Sequence, residues 1–95
     1  MSAYLIAQVN ITNENPYKEY RNKTSPIVEK YGGKFLVRGG RFKKLLGTWE
    51  YKRTVVIEFP SYDQALNWYN SDEYKTVRKI REENSSGNVI IVEGE

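Results

Sequence analysis

Arg38 and Glu58, two charged residues on neighbouring predicted strands, are the side chains of this sequence best placed to do chemistry. Counting alternate residues puts both on the same face of the sheet, where they would meet across adjacent strands. An arginine fork binds carboxylate, enolate or phosphate oxygens, whereas a carboxylate beside a cation stays ionised and is a weak base. The pair therefore favours ligand binding over proton abstraction, and the structural alternative is a rim ion pair that sets the register of a dimer.

Further side chains could complete a pocket around this pair. Gln8 falls on the same predicted face, and Trp49, Tyr69 and Tyr74 could supply an aromatic wall, although aromatics at such positions are more often core residues. No catalytic residue is assigned. The predicted ligand-binding residues are Arg38, Glu58, Trp49, Gln8, Tyr69 and Tyr74.

The composition excludes several kinds of site. The chain has no Cys and no His, so it lacks a thiol nucleophile, the commonest metal ligand and the usual general base. We therefore expect no metal and no cofactor. The 95 residues fit one domain, 1–95, and neither a signal peptide nor an apolar run of membrane-spanning length is evident, so we expect a cytoplasmic protein with no membrane partner.

Basic residues are concentrated between positions 34 and 53, where Glu50 is the only acidic residue. We favour an exposed sheet edge that resists pairing with other edges over a nucleic-acid interface, because no RNA-binding aromatic signature or helix-turn-helix pattern accompanies the charges. The basic residues are Lys34, Arg38, Arg41, Lys43, Lys44, Lys52 and Arg53.

The elements that must position these residues follow the order β-α-β-β-α-β. Strands are predicted for residues 4–11, 34–38, 53–59 and 88–93, and residues 42–46 are expected to extend or pair beside the second strand. Glycine pairs at 32–33 and 39–40 are suited to end the first helix and the second strand.

The helical stretches carry recognisable start signals. A cap at 12–15 precedes the first, whose apolar stripe is interrupted by Pro26, where we expect a kink or restart capped by Ser25. Ser61 begins a capping box in which Gln64 reaches back, and a second cap follows at 70–73. The first stripe contains Tyr17, Tyr20, Thr24, Ile27, Val28 and Tyr31, and we assign Tyr17, Tyr20 and Trp68 to packing or the surface.

This order predicts an α+β fold of the ferredoxin-like kind, with both helices on one face of an antiparallel sheet and the first and third strands central. Strands that are apolar on both faces are normally covered on both, so we predict a homodimer packed through the uncovered sheet face. The helix-covered face should carry Leu5, Ala7, Val9, Phe35, Val37, Val55, Ile57, Phe59, Ile90 and Val92. The open face should carry Tyr4, Ile6, Leu36, Val56 and Ile91.

Three functions remain open at this point. The first is binding of a small polar or anionic molecule in a pocket at the sheet face. The second is a cofactor-independent enzyme, of isomerase or oxygenase type, acting on an enolisable or aromatic substrate. The third, which we favour least, is binding of nucleic acid or another anionic surface through the basic segment.

Several segments of this chain match one known family when they are taken together. They are Tyr31-Gly32-Gly33 through Arg38-Gly39-Gly40, Gly47-Thr48-Trp49, Val56 to Ser61, Ala65 with Trp68-Tyr69 and Ser71, and Tyr74. With these segments the chain resembles the 1330 domain-of-unknown-function family over nearly its whole length. The resemblance implies a ferredoxin-like domain that dimerises as an α+β barrel, and it implies no reaction. Family members commonly have Arg and Tyr where this chain has Lys34 and Phe35, so a role for that tyrosine hydroxyl could not be performed here.

Overall fold

The predicted order of strands and helices is confirmed, with the second helix divided in two. The computed structural model describes all residues, 1–95. The four strands form one antiparallel sheet in the order β2-β3-β1-β4, so the first and third strands are central as predicted. The elements are β1 (Ala3–Ile11), α1 (Glu14–Lys30), β2 (Lys34–Arg38), β3 (Arg53–Phe59), α2 (Tyr62–Tyr69), α3 (Asp72–Asn84) and β4 (Ser85–Glu93).

Side-chain caps begin the second and third helices. The Ser61 and Ser71 hydroxyls accept from the backbone N–H groups of Gln64, at 3.1 Å, and Tyr74, at 3.2 Å, which confirms both predicted caps. Gln64 does not reach back to complete a capping box. Its side chain donates instead to the Tyr31 carbonyl at 3.1 Å and ties the start of α2 to the end of α1.

Helix α1 runs through Pro26 without a restart. Ser25 is not a cap, because its hydroxyl donates to the Arg21 carbonyl one turn earlier, at 3.1 Å. The helix ends at the first glycine pair, where Gly32 adopts a φ of 81° and donates to the Glu29 carbonyl at 3.0 Å. The chain then enters β2 close beneath the helix.

The hydrophobic core lies between the sheet and the helices. Alternate residues of the central strands are buried beneath α1 and α3, which pack side by side. The Trp68 ring lies at the centre, with its centroid 4.0 Å from that of Tyr74 and 5.3 Å from that of Phe59. The buried strand residues are Ala3, Leu5, Ala7, Val9, Val55, Ile57 and Phe59.

A β-bulge at Leu36 changes which residues of β2 face the helices. Phe35 pairs with Ile57, but Val37 pairs with Val56 and Arg38 with Val55, so one extra residue is inserted in β2. Since a slip of one residue exchanges the two faces, Arg38 lies on the helix-covered side and Val37 on the open side. Both predicted placements are therefore wrong.

The faces of β4 are also opposite to those predicted. Val89 and Ile91 pair with Ala7 and Leu5 and pack against the core, whereas Ile90 and Val92 lie on the open face and are 56% and 42% exposed. Residues 89–92 are all apolar, so the strand contains no alternation from which its inward face can be read. Pairing with β1 decides which residues of β4 face the core.

The segment 39–52 contains no strand, so the predicted pairing of residues 42–46 is wrong. Several of its apolar side chains are exposed rather than buried. Leu45 and Leu46 are 88% and 92% exposed, and the Phe42 and Trp49 rings pack on each other with centroids 6.3 Å apart. This segment lines a groove together with Val37 and Thr54, which lie on the open sheet face. None of the helices is long and apolar enough to cross a membrane.

Candidate functional site

The predicted pair of Arg38 and Glu58 does not form. Glu58 is on the open face, opposite Tyr4 on β1 and Lys34 on β2, and its carboxylate accepts from the Tyr4 hydroxyl at 3.3 Å. Arg38 is on the other face because of the bulge, and its guanidinium donates to the Arg21 carbonyl of α1 at 2.9 Å. The sheet itself separates the two side chains.

The other predicted site residues are also divided among different surfaces. Gln8 is half-buried on the open face, and Trp49 lies in the segment 39–52. Tyr74 lines a cavity beneath the helices that Arg38 also lines, and Tyr69 packs against Tyr74 with ring centroids 5.7 Å apart. Of the predicted set, only Arg38 and Tyr74 line the same cavity, and Tyr69 lies behind Tyr74.

That cavity, here called the internal cavity, lies between the sheet and the helices and has a volume of about 30 Å³. A space of this size holds about two water molecules, or a small polar group of similar volume. Its sheet side is apolar except for Arg38 and Arg53, and its helix side contains residues with hydroxyl, indole and guanidinium groups. The sheet contributes Leu5, Ala7, Val9, Phe35, Arg38, Arg53, Val55 and Ile57, and the helices contribute Tyr17, Tyr20, Arg21, Thr24, Trp68, Tyr74 and Arg81.

Three buried polar atoms that lack a hydrogen-bond partner all belong to residues lining the internal cavity. They are Thr24 Oγ1, Arg53 Nε and Trp68 Nε1. Thr24 is 3% exposed and Trp68 is 1% exposed, so bulk water does not satisfy them. Leaving a buried polar group unpaired costs about 1–3 kcal/mol, and native proteins contain few such groups. Two of the three atoms, Arg53 Nε and Trp68 Nε1, can only donate a hydrogen bond.

Tyrosine hydroxyls add to this donor set. The Tyr20 and Tyr74 hydroxyls lie 2.7 Å apart, and only one of their two hydrogens can lie between the oxygens. Burial, and next the Tyr20 hydroxyl, raises the pKa of Tyr74, and the same two causes raise the pKa of Tyr17 against the opposing effect of nearby arginines. Tyr17 and Tyr74 are therefore protonated at neutral pH and act as hydrogen-bond groups rather than as bases.

Four guanidinium groups surround the internal cavity, and no carboxylate lines it. Arg21 has a 3.4 Å contact with the largely exposed Glu14, but Arg38, Arg53 and Arg81 form no salt bridge. Desolvation lowers the pKa of Arg38, and the charges of Arg53 and Arg21 lower it further. Excess positive charge of this kind is relieved by a bound anion.

An open polar pocket of about 340 Å³ lies outside the internal cavity and is here called the vestibule. It is lined by Asn22 and Ser25 together with Arg21, Arg38 and Arg53. The same three arginines line the internal cavity, so they stand between it and solvent. An anion from solution would meet these arginines first.

Local structure holds two of these arginines in place. The Arg38 guanidinium lies 4.0 Å from the centroid of the Phe35 ring while it donates to the Arg21 carbonyl. Arg53 packs over Gly39, which ends β2 with a φ of 76° and donates to the Thr54 carbonyl at 2.9 Å. A Cβ on Gly39 would overlap the Arg53 guanidinium. The second glycine pair therefore ends the strand, as predicted, and also makes room for Arg53.

Replacement of Gly39 by alanine should displace Arg53 and weaken anion binding. The left-handed backbone alone costs a side-chain-bearing residue about 1–2 kcal/mol of folding free energy. Gly40→Ala is the matched control, because Gly40 has no positive φ and a Cβ added to it would meet no atom within 4 Å. Chemical denaturation and anion titration of both variants test this expectation, and equal behaviour of the two variants would contradict it.

The chemistry available at this site is recognition and stabilisation of negative oxygen atoms. The internal cavity offers indole, hydroxyl and guanidinium donors, and it contains no carboxylate, imidazole or thiol to serve as a general base. No three His, Cys, Asp or Glu side chains are grouped so as to hold a metal ion.

Sequence reasoning missed most of the residues around the internal cavity. Thr24 gave a usable signal, because it is a polar residue within the buried stripe of α1. Trp68, Tyr17 and Tyr20 were predicted to lie in the packing or on the surface. They are core residues, and each also lines the cavity. Arg53 was predicted only as a member of the basic segment 34–53, and not as part of a small-molecule site.

A family model described as "Domain of unknown function (DUF1330)" matches residues 2–95. The chain belongs to this family. The resemblance seen in the sequence is thus confirmed. A search of curated proteins finds no significant match.

Solved structures with this fold come from several bacteria. A protein of unknown function from Rhodopseudomonas palustris, RPA0582, is 18% identical with a TM-score of 0.77, over 99% of this DUF1330 chain and 82% of that one. SnoaB, a cofactor-independent oxygenase from Streptomyces nogalater, is 8% identical with a TM-score of 0.67, over 99% and 93% of the two chains. A dimeric ferredoxin-like protein of unknown function from Thermobifida fusca is 12% identical with a TM-score of 0.55, over 99% and 92%. At these identities the similarity shows the α+β fold alone.

Proposed function

We propose that this protein binds a small carboxylate-bearing molecule between its helices and its sheet. One observation carries the proposal: four arginines line one cavity that no carboxylate lines, and three of these arginines also line the vestibule. Guanidinium groups bind carboxylates through charge-assisted hydrogen bonds that are often bidentate. The proposed site is thus on the opposite side of the sheet from the one expected from the sequence.

Binding is favoured over proton abstraction by a residue of the site. The enzymatic alternative drawn from the sequence used Glu58 or a tyrosine as the base, but Glu58 lies across the sheet and the pKa values of Tyr17 and Tyr74 are raised. SnoaB is named as an oxygenase, and its likeness to this chain supports a ligand cavity in this fold rather than a particular reaction.

The two tryptophans provide a direct test, because the chain has two indole N–H groups. Trp68 lines the internal cavity, whereas Trp49 lies in the exposed segment 39–52. Addition of propionate should shift the indole resonance of Trp68 in a saturable way in an NMR titration and leave that of Trp49 unchanged. The variant Trp49→Phe assigns the two resonances.

Propionamide is the control ligand, because it has nearly the same shape as propionate and no charge. It should bind at least about tenfold more weakly, since hydrogen bonds to charged groups are roughly twice as strong as neutral ones. A Trp68 resonance that ignores both compounds, or that responds equally to both, would rule out the proposed carboxylate site.

We also propose that a second copy of this chain covers the open sheet face. Ile90 and Val92 are exposed there beside Ile6 and Val56, and Leu45 and Leu46 extend the apolar surface at its edge. Contiguous apolar surface of this kind marks an interaction site. The dimeric protein from Thermobifida fusca has the same fold, which supports a second copy as the partner.

A further inference from the structure

The positive charges of the vestibule come from two sides of the pocket. Helix α1 supplies Arg21 together with the neutral Asn22 and Ser25, and the sheet supplies Arg38 from β2 and Arg53 from β3. The pocket is thus lined by three positive charges and by no acidic residue. A single carboxylate would leave two of these charges uncompensated. The vestibule therefore favours an anion that carries more than one negative charge.

Arg21 and Arg38 present their charges at different levels of helix α1. The Arg21 side chain runs back along the helix, and its guanidinium carbon lies 5.7 Å from the centroid of the Tyr17 ring. The Arg38 guanidinium donates to the Arg21 carbonyl at 2.9 Å, and the Ser25 hydroxyl donates to the same carbonyl at 3.1 Å. Side chains of a helix lean towards its N-terminus, whereas its carbonyl groups point towards its C-terminus. The two guanidinium groups are thus separated along α1 by about one helical turn, a distance of about 5 Å.

Arg53 lies close to both of these levels. Its guanidinium packs over Gly39, which follows Arg38 in the chain. Burial lowers the pKa of Arg38, and the charge of Arg53 is the next cause that lowers it. Burial raises the pKa of Tyr17, and the charge of Arg53 opposes that rise. Arg53 can therefore act together with Arg38 on one anionic group while a second group lies near Arg21.

The three arginines are accessible to a ligand from solution. Arg38 is exposed, Arg53 is half-buried, and the Arg21 side chain is 27% exposed. The only carboxylate in contact with any of them belongs to Glu14, which is largely exposed and approaches Arg21 at 3.4 Å. An exposed ion pair of this kind contributes little to stability, so the carboxylate of a ligand can replace it.

We propose that the ligand is a short-chain dicarboxylate, with one carboxylate held by Arg38 and Arg53 and the other by Arg21. This inference rests on the proposed function and adds a second anionic group to the ligand. Two carboxylates joined by a short flexible chain, as in succinate or glutarate, match charges that are spread along a helix. Inorganic phosphate concentrates its charge at one point and matches them less well.

Titrations of the whole chain with succinate and with succinamate, its half-amide, test the inference. The two compounds have the same length, and succinamate lacks one negative charge. Succinate should bind about tenfold more tightly, since hydrogen bonds between charged groups are roughly twice as strong as neutral ones. This preference should decrease as the salt concentration rises. Malonate, which is too short to reach both levels, should bind more weakly than succinate. Backbone amide resonances of α1 and β3, followed by NMR, report binding.

The variant Arg21→Gln should weaken binding of succinate by about tenfold and that of succinamate by no more than about threefold, because it removes the charge that holds the second carboxylate. The preference for succinate should therefore fall. Lys23→Gln is the matched control on the same helix. It removes one positive charge from a lysine that pairs with Glu19 at 2.8 Å and lines neither the internal cavity nor the vestibule. It should keep the preference of the unchanged protein.

The outcomes separate this inference from the function on which it rests. If propionate and succinamate bind but succinate binds no more tightly, the second carboxylate site is wrong while the first stands. The same conclusion follows if Arg21→Gln keeps the preference, or if Lys23→Gln lowers it equally. Tighter binding of inorganic phosphate than of succinate also overturns the dicarboxylate. If none of the acids binds, both proposals fail.

Discussion

Replacement of Arg53 by methionine is expected to weaken carboxylate binding by about tenfold to a hundredfold without lowering the stability of the free protein. Hydrogen bonds between charged partners contribute about 1.5–3 kcal/mol each, which corresponds to that loss. Arg53 lines both the vestibule and the internal cavity, as Arg21 and Arg38 also do, so its replacement removes one of the three guanidinium groups at the boundary between them. NMR titration with propionate measures the change in affinity.

The stability of Arg53→Met distinguishes a binding residue from a structural one. Arg53 has a buried, partnerless Nε atom, and its charge helps to lower the pKa of Arg38. Methionine keeps most of the buried stem and removes both costs, so the free energy of unfolding should be unchanged or higher. Denaturation at fixed protein concentration without added anion measures this quantity.

Arg78→Gln is the matched control for charge. It removes one positive charge from an arginine that pairs with Glu82 at 3.2 Å and lines neither the internal cavity nor the vestibule. Its affinity for propionate should stay within about twofold of that of the unchanged protein, because the Arg78 charge is paired with Glu82 outside the site and is further screened by salt. Equal losses in the two variants would mean that net charge, rather than the site, attracts the anion.

Replacement of Ile90 by lysine is expected to raise the dissociation constant of the proposed dimer by about a hundredfold or more. Ile90 pairs with Ile6 at the open sheet face and is 56% exposed in the single chain. A two-fold interface would bury the introduced charge twice, and an unpaired buried charge costs several kcal/mol. Sedimentation velocity over a series of protein concentrations measures the association.

Thr76→Lys is the control for this second experiment. Thr76 is exposed on α3, which covers the other face of the sheet, so the variant adds the same charge away from the proposed interface. It should sediment as the unchanged protein does. An unchanged protein that is monomeric at micromolar concentration, or an Ile90→Lys variant that still dimerises, would refute the proposed interface.

Local signals predicted the elements of this fold because their physical causes are local. Ser61 and Ser71 cap helices through hydrogen bonds to residues three positions later, and Gly32 ends α1 through its own backbone conformation. The alternation in β1 identified its buried face correctly, since Leu5, Ala7 and Val9 are all inward. The order of elements then left few topologies, and the ferredoxin-like sheet was among them.

The internal cavity could not be predicted in this way, because its residues come from elements that are distant in the chain. Thr24, Arg53 and Trp68 belong to α1, β3 and α2, and nothing in their local sequence indicates that they line the same cavity. Tyr20 and Tyr74, whose hydroxyls form a hydrogen bond, are equally remote from each other.

The sequence by itself determined the kinds of element, their order, the family and the absence of histidine and cysteine. Each of these depends on residue type or on neighbours within a turn. Only the tertiary structure decided which side of the sheet Arg38 occupies. The single extra residue at Leu36 cannot be detected without the partner strand. It reverses the two faces of β2 beyond that point, so the Arg38 guanidinium lies beside the helices and not beside Glu58. The position of the candidate site follows from that pairing, because strand register is a property of two strands rather than of one.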